Sequence, residues 1–219
     1  MQMIDKKIED YCIGKSSLPS VDCQRIEDYT HAHVHGAKML IGKMEASFIG
    51  FLLRSIKAKR VLELGTFTGY SALTMAENIS DGGEIITVDI NVKTVSLAQG
   101  FWNQSPHGHK IKSLIGSGMD IIPTLSGKFD FVFIDADKRN YIDYLKMTVP
   151  MLSENGMIVI DNVLWSGKVL PDAELDQGVH YDRNTEFVRL VNDYIANEPS
   201  LYGTLLPIRD GMFLVTVKS

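Results

Sequence analysis

Apolar positions along the chain follow two regimes that change near residue 58. Over residues 1–57 they recur at helical spacing, first as Ile4, Ile8, Tyr11 and Cys12, then as Phe48, Ile49, Leu52, Leu53 and Ile56 ahead of the polar run KAKR. This segment is expected to be a helical prelude. Beyond it the pattern turns to short apolar runs, RVLELG, EIITVD, KIKSLIG, FDFVFID and GMIVID, separated by longer amphipathic stretches. That alternation predicts βαβ units, and runs that are apolar throughout predict parallel strands covered by helices on both faces. A helix with Phe187, Leu190, Val191 and Tyr194 on one face follows. The chain closes with YGTLLPI and MFLVTVK around RDG, read as an antiparallel hairpin. The expected fold is α/β: a doubly wound, mostly parallel sheet over residues 58–219, preceded by the helical segment and forming one domain with it. No internal repeat or linker interrupts it.

Composition narrows the setting. A length of 219 residues is enough to bury a sizeable core, and 22% charged residues with a net charge of -5 describe neither a basic nucleic-acid binder nor a disordered acidic chain. Cys12 and Cys23 form no CxxC pair, and MQMIDKKIEDY carries charges where a secretory leader would be apolar, so a reduced, cytoplasmic setting is expected. No apolar run approaches the roughly 18–20 residues that cross a bilayer, so no membrane partner is expected.

In doubly wound sheets ligands bind beyond the carboxyl ends of the strands. The first such end reads VLELGTFTGYSAL, with Gly65 and Gly69 in a turn before a helix opening with Tyr70 and Ser71. A dinucleotide fingerprint would place its next glycines at Phe67 and Tyr70, so neither a pyrophosphate cradle nor an NAD-linked dehydrogenase is expected. Glu63 would repel phosphates and suits a cationic group. Asp89 stands 24 residues after Gly65, where such folds put an acid on ribose hydroxyls. A ribose-bearing, unphosphorylated, positively charged ligand is implied, and S-adenosylmethionine fits. The plain alternatives are a tight turn without a ligand at the glycines and a helix-capping role for Asp89.

The fourth and fifth runs end in Asp135 and in Asp161 with Asn162. On neighbouring strands about 4.8 Å apart these groups converge. They are hard oxygen donors too few for a closed cage, which suits Mg²⁺, Mn²⁺ or Ca²⁺ with open coordination positions. The alternative is that each acid caps a following helix. His31, His33 and His35 alternate in THAHVHGAK, but with no cysteine or fourth ligand in register they read as a surface or substrate-facing loop. Trp165 is either a wall of the acceptor pocket or core packing, and the polar stretch 169–184 reads as a loop covering the acceptor.

The runs VLELGTFTGYS, FIDADKRNY, DNVLWSG and LPIRDG resemble the cation-dependent O-methyltransferases of the caffeoyl-CoA and catechol type, from about Met39 to the C-terminus. The resemblance implies a seven-stranded, Rossmann-like sheet of the class I methyltransferase kind and a homodimer. It implies that Met39 and Ile41 flank the methionine part of S-adenosylmethionine, that Glu63 and Ser71 hold its amino-acid end with the Gly65–Thr66 backbone, and that Asp89 binds ribose. Gly118 lies by the adenine and Asp137 is another cofactor contact. By the same resemblance Asp135, Asp161 and Asn162 are metal ligands, and Lys138, beside Asp135 in the catalytic group, is the general base. One departure lies in MLIGKMEASF, where many relatives have Ser or Thr at Gly42 and a Glu-x-Gly that here reads Met44-Glu45-Ala46. The implied reaction is methyl transfer to a hydroxyl of a small ortho-dihydroxy phenolic, with or without a CoA carrier. Two further readings are methylation of hydroxylated uridine in tRNA, against which the net charge stands, and a non-catalytic S-adenosylmethionine-binding module, against which the intact Asp135, Lys138, Asp161 and Asn162 set stands.

Overall fold

The computed structural model describes residues 4–171 and 180–218. The N-terminal segment is helical as expected, in α1 (Lys6–Lys15), α2 (Val21–His33) and α3 (Lys43–Ser55). Asp5 and Ser20 cap the first two with side-chain oxygens that accept backbone N–H groups of the opening turn. Helix α3 starts at Gly42, which has no side chain to offer; instead the Glu45 carboxylate accepts the Gly42 N–H at 2.5 Å. Ala46, Ile49 and Leu53 of α3 are buried against α4 (Tyr70–Asn78), as the periodicity predicts. Helix α1 differs: Ile8 and Tyr11 are exposed and no residue of the helix is fully buried. Its Glu9 and Cys12, with Ile4 just before it, instead border a large cavity.

Seven strands form one sheet: β1 (Arg60–Leu64), β2 (Glu84–Asp89), β3 (Ile111–Ile115), β4 (Phe129–Ile134), β5 (Leu152–Asp161), β6 (Leu201–Leu206) and β7 (Met212–Val217). Their order is β3-β2-β1-β4-β5-β7-β6. Strands β1 to β5 are parallel, and β7 runs antiparallel to both β5 and β6, which is the expected terminal hairpin. Alternate residues of each strand feed opposite layers. Val61, Phe131, Phe133 and Val159 pack toward α3 and α4, while Leu62, Leu64, Val132, Ile134 and Ile160 pack toward α7 (Tyr141–Thr148) and α8 (Arg183–Asn197). Both faces are covered, which is why the strands are apolar throughout.

The α8 stripe is rotated from the one expected. Val188, Val191 and Ile195 are buried, whereas Leu190 is exposed. The larger rings fall at the flanks, where Arg183 stands over Phe187 and Lys146 over Tyr194. Among the described residues no helix is long and apolar enough to cross a membrane.

Strand order reverses at β1, with β2 on one side and β4 on the other, which opens a crevice at their carboxyl ends. Gly65 makes this possible. Its φ is +100°, and a Cβ there would lie 2.0 Å from the Asp135 carbonyl oxygen. The turn after β1 thus passes directly against the end of β4. Gly65→Ala is expected to destabilise the fold by about 3 kcal/mol through strain and overlap, read as a lower urea midpoint; a midpoint equal to that of the native chain would show that the two turns are free to separate.

Candidate active site

The crevice is a cavity of about 1090 Å³ bordered by the ends of β1, β2, β4 and β5, the β6–β7 turn and α1. Of the residues named from the sequence, Met39, Ile41, Gly65, Thr66, Ser71, Asp89, Gly118, Asp135, Asp137, Lys138, Asp161 and Asn162 all lie on its wall. Trp165 does too, which settles it as a wall and not core. His31, His33 and His35 are exposed and off the wall, at and just beyond the end of α2; His33 stacks on Tyr29. Of the stretch expected to cover the acceptor, residues 172–179 lie outside the described residues.

Asp89 does not cap the helix after it. Asn91 does, accepting from the N–H groups of Lys93 and Thr94 at the start of α5 (Val92–Trp102). Asp89 Oδ2 accepts the Thr66 and Phe67 N–H groups, both at 2.9 Å, and Oδ1 accepts that of Asn91 at 2.8 Å. The carboxylate therefore shapes the turn after β1. Of its roughly four acceptor positions, one is left for a ligand hydroxyl.

Glu63 departs from its expected place. It is fully buried, off the cavity wall, and its carboxyl lies beneath the turn. Oε2 accepts the Thr87 hydroxyl at 2.5 Å, while Oε1 has no partner among the described residues. It sits inside because alternate residues of β1 face opposite layers, and position 63 shares the inner face with Val61. Burial pushes its pKa up to about 8. A cationic group bound nearby would favour the ionised form of this buried carboxyl.

At the ends of β4 and β5 the acids do meet. Lys138 Nζ donates to Asp135 Oδ1 at 3.1 Å, to Asn162 Oδ1 at 2.7 Å and to the Tyr141 phenolic oxygen. Tyr141 in turn donates to the Asp161 carbonyl at 3.1 Å. Asn162 has φ +60°, a left-handed conformation that asparagine tolerates better than most residues, and it turns the amide back toward Asp135. The Asp161 carboxyl is buried and its pKa is raised well above the carboxylate range by desolvation, then by repulsion from Glu45 and Asp135. Asp137 accepts from Tyr144 and Asn140, both at 2.6 Å, and Tyr144 packs against Gly118 in α6 (Gly118–Ile121). Trp165 is held by its indole N–H, which donates to Asp182 at 2.9 Å. Among the described residues no three His, Cys, Asp or Glu side chains form a metal cluster; the oxygen set here is two carboxylates and one amide.

Sequence reasoning missed Tyr141, Glu45 and Arg209. Tyr141 belongs to the FIDADKRNY run, yet only its fully buried position beneath Lys138 shows what it does. Glu45 and Arg209 meet across 164 positions of chain, which no local pattern reveals.

The sheet order, the crevice at its switch point and the acid-lined wall define a class I methyltransferase. The chain belongs to the O-methyltransferase family, whose model matches residues 16–218. It is 36% identical over 178 residues to a caffeoyl-CoA O-methyltransferase of Pinus taeda, covering 78% of this chain and 68% of that one. It is 37% identical over 177 residues to caffeoyl-CoA O-methyltransferase 1 of Eucalyptus globulus, covering 78% and 71%. Among solved structures it resembles the SAH-bound methyltransferase PaMTH1 of Podospora anserina, with a TM-score of 0.89 and 26% identity over 100% of this chain and 99% of the other. The SAM complex of the O-methyltransferase TomG from Streptomyces achromogenes, at 22% identity, shares the fold with a TM-score of 0.85 over 99% and 100%. The chain is an S-adenosylmethionine-dependent O-methyltransferase.

Glu63 sets a pH dependence. An unfolded glutamate titrates near 4.3, whereas the folded one holds its proton to about 8. The native state thus binds more protons between these values, so the contribution of Glu63 is full below pH ~4.3 and is lost as pH rises toward 8. Glu63→Gln is expected to gain stability relative to the native chain progressively from pH 5 to 8 in urea unfolding. A difference constant across that range would refute the buried, protonated carboxyl.

Proposed function

We propose that the chain transfers the methyl of S-adenosylmethionine to a hydroxyl of a small ortho-dihydroxy phenolic, with a divalent cation held by Asp135, Asp161 and Asn162. The observation that carries this reading is the position of the Lys138 ammonium between Asp135 Oδ1 and Asn162 Oδ1, beside the buried Asp161. A positive charge already suits that point. The described wall holds seven acidic side chains against four basic ones, which favours cationic ligands over phosphates. Hard oxygen donors that leave coordination positions open fit Mg²⁺ foremost, then Mn²⁺ or Ca²⁺. The names of the curated relatives, caffeoyl-CoA O-methyltransferases, support a caffeoyl-like acceptor carried as a CoA ester.

A phenol has a pKa near 10, so little phenolate exists at pH 7. When bound, the divalent cation supplies Lewis acidity and a template for two adjacent hydroxyls. The remaining steps belong to the chain's own residues. Lys138 first releases its ammonium proton to solvent, and the neutral Nζ then takes the proton from the attacking hydroxyl, with Tyr141 and Asn162 fixing its direction. Trp165 stands 5.8 Å from Lys138 Nζ by its ring centroid and walls the aromatic acceptor. On the other side Met39, Ile41, Ser71 and the Gly65–Thr66 backbone orient the methionine part, with Asp89 on ribose, Asp137 as a further contact and Gly118 by the adenine. Alignment of the two reactants contributes by proximity. Membership of the family supports a further proposal, a homodimer; a cytoplasmic setting is proposed from the charged N-terminus and the lack of a CxxC pair, and a tRNA acceptor stays the alternative that the net charge of -5 disfavours.

The test is methyl transfer from labelled S-adenosylmethionine to catechols, caffeoyl esters and hydroxyuridine-containing tRNA, with Mg²⁺ and with EDTA. Turnover of a catechol or caffeoyl ester that EDTA abolishes is the expected result; turnover of tRNA alone would replace the acceptor, and EDTA-resistant turnover would remove the cation. Lys138→Ala is expected to lower kcat roughly 100-fold while S-adenosylhomocysteine affinity stays the same. An unchanged kcat would take the lysine out of the proton transfer.

A further inference from the structure

The β6–β7 turn places an arginine where the backbone disfavours one. Arg209 has φ +47°, in the left-handed region that L side chains rarely adopt. Its side chain reaches the start of α3, where Nη1 donates to the Leu40 carbonyl at 3.1 Å and to Glu45 Oε2 at 2.5 Å. The same Glu45 oxygen accepts the Gly42 N–H at 2.5 Å, and the Glu45 side chain is 1% exposed. One buried oxygen thus joins the first turn of a helix to a guanidinium from the far end of the chain. Gly42 leaves the room for it: a Cβ there would lie 2.7 Å from Arg209 Cδ and 2.9 Å from Nη1.

Arg209 stands between two parts of the cavity wall. On one side is segment 36–42, which contributes Met39 and Ile41. On the other, its own turn is stitched to the residues after β5: the Asp210 carbonyl accepts the Leu164 N–H at 2.8 Å, the Gly211 carbonyl accepts that of Val163 at 3.2 Å, and Asp210 Oδ1 accepts that of Ser166. Trp165 is part of that segment. We propose that Arg209 is a positioning residue that clamps segment 36–42 to the Trp165 side of the cavity, holding Met39 and Ile41 against the methionine part of the cofactor. The clamp acts through Glu45 and the Gly42 backbone and depends on the small Gly42. It rests on the assignment of Met39 and Ile41 to the cofactor made under Proposed function.

The test is a double-mutant cycle on the full chain, with S-adenosylhomocysteine affinity by calorimetry and thermal midpoint as readouts. Arg209→Gly relieves the strained φ but leaves the buried Glu45 without its cation, so it is expected to melt below the native chain; binding is therefore compared at a temperature where circular dichroism shows both chains folded, which separates loss of the clamp from loss of the fold. The affinity of Arg209→Gly for S-adenosylhomocysteine is expected to fall about tenfold. Gly42→Ser, whose Cβ displaces the guanidinium, is expected to weaken binding to a similar degree in the native background and not at all in the Arg209→Gly background. Arg209→Lys, which keeps a donor for Glu45, is expected to bind more tightly than Arg209→Gly. Unchanged affinity in Arg209→Gly, or losses that add in the double variant, would overturn the clamp while leaving the cofactor reading intact. A native chain that fails to bind S-adenosylhomocysteine would overturn the cofactor reading, and the clamp with it.

Discussion

The constraint on which the site depends is the repulsion among carboxylates crowded at the carboxyl ends of parallel strands. Asp135 and Asp161 end β4 and β5, Glu45 opens α3 above them, and Glu63 lies buried in β1. Burial raises the pKa of Glu45, Glu63 and Asp161, and each of the three is raised further by at least one neighbouring acid. Removing such groups from water is costly unless charge or hydrogen bonds offset it. Two cations do so from within the chain, Lys138 between Asp135 and Asn162 and Arg209 on Glu45. The rest of the acidic wall is left with demand for positive charge, which the sulfonium of S-adenosylmethionine suits.

Backbone conformation carries part of the same arrangement. Phe67, Asn162, Trp165, Ser166 and Arg209 all have positive φ without being glycine, and all five line the cavity. Each costs on the order of 1–3 kcal/mol unless its surroundings hold it. The holding groups are visible: Asp89 accepts the Phe67 N–H, Asp161 that of Asn162, and Asp210 that of Ser166. These aspartates, two at strand ends and Asp210 in the β6–β7 turn, thus have a structural duty. They fix the strained turns that aim the neighbouring side chains inward.

Much of this was legible in the sequence because the strand ends are local. A strand covered on both faces is a short apolar run, and the residue that ends it must face the crevice, so Gly65, Asp89, Asp135, Asp161 and Asn162 could be placed by counting. The depth of Glu63 was not legible by that route. It precedes Gly65 by two residues, inside the strand, and whether an in-strand acid reaches the ligand or stays below the floor depends on the height of the turn above it. The outward face of α1 and the rotated stripe of α8 failed for a different reason. Helical periodicity shows that a face exists, while the surface it meets decides which residues are buried, here Val188, Val191 and Ile195.

The contact between Glu45 and Arg209 lay beyond sequence reading altogether, and it ties the helical prelude to the hairpin. Nothing in MLIGKMEASF signals that its glutamate is buried, and nothing in LPIRDG signals that its arginine points back across the cavity. Each local pattern looks like a weakness: a helix start without a capping side chain and a turn with a bulky residue at a positive φ. Together they make sense, since the missing side chain at Gly42 is the space that the guanidinium fills, and the strained turn is what directs it there. The cavity is thereby closed by residues from both ends of the chain, while its floor comes from the sheet between them. The sheet fixes where the acids stand, and this junction fixes how closely the N-terminal segment is held over them.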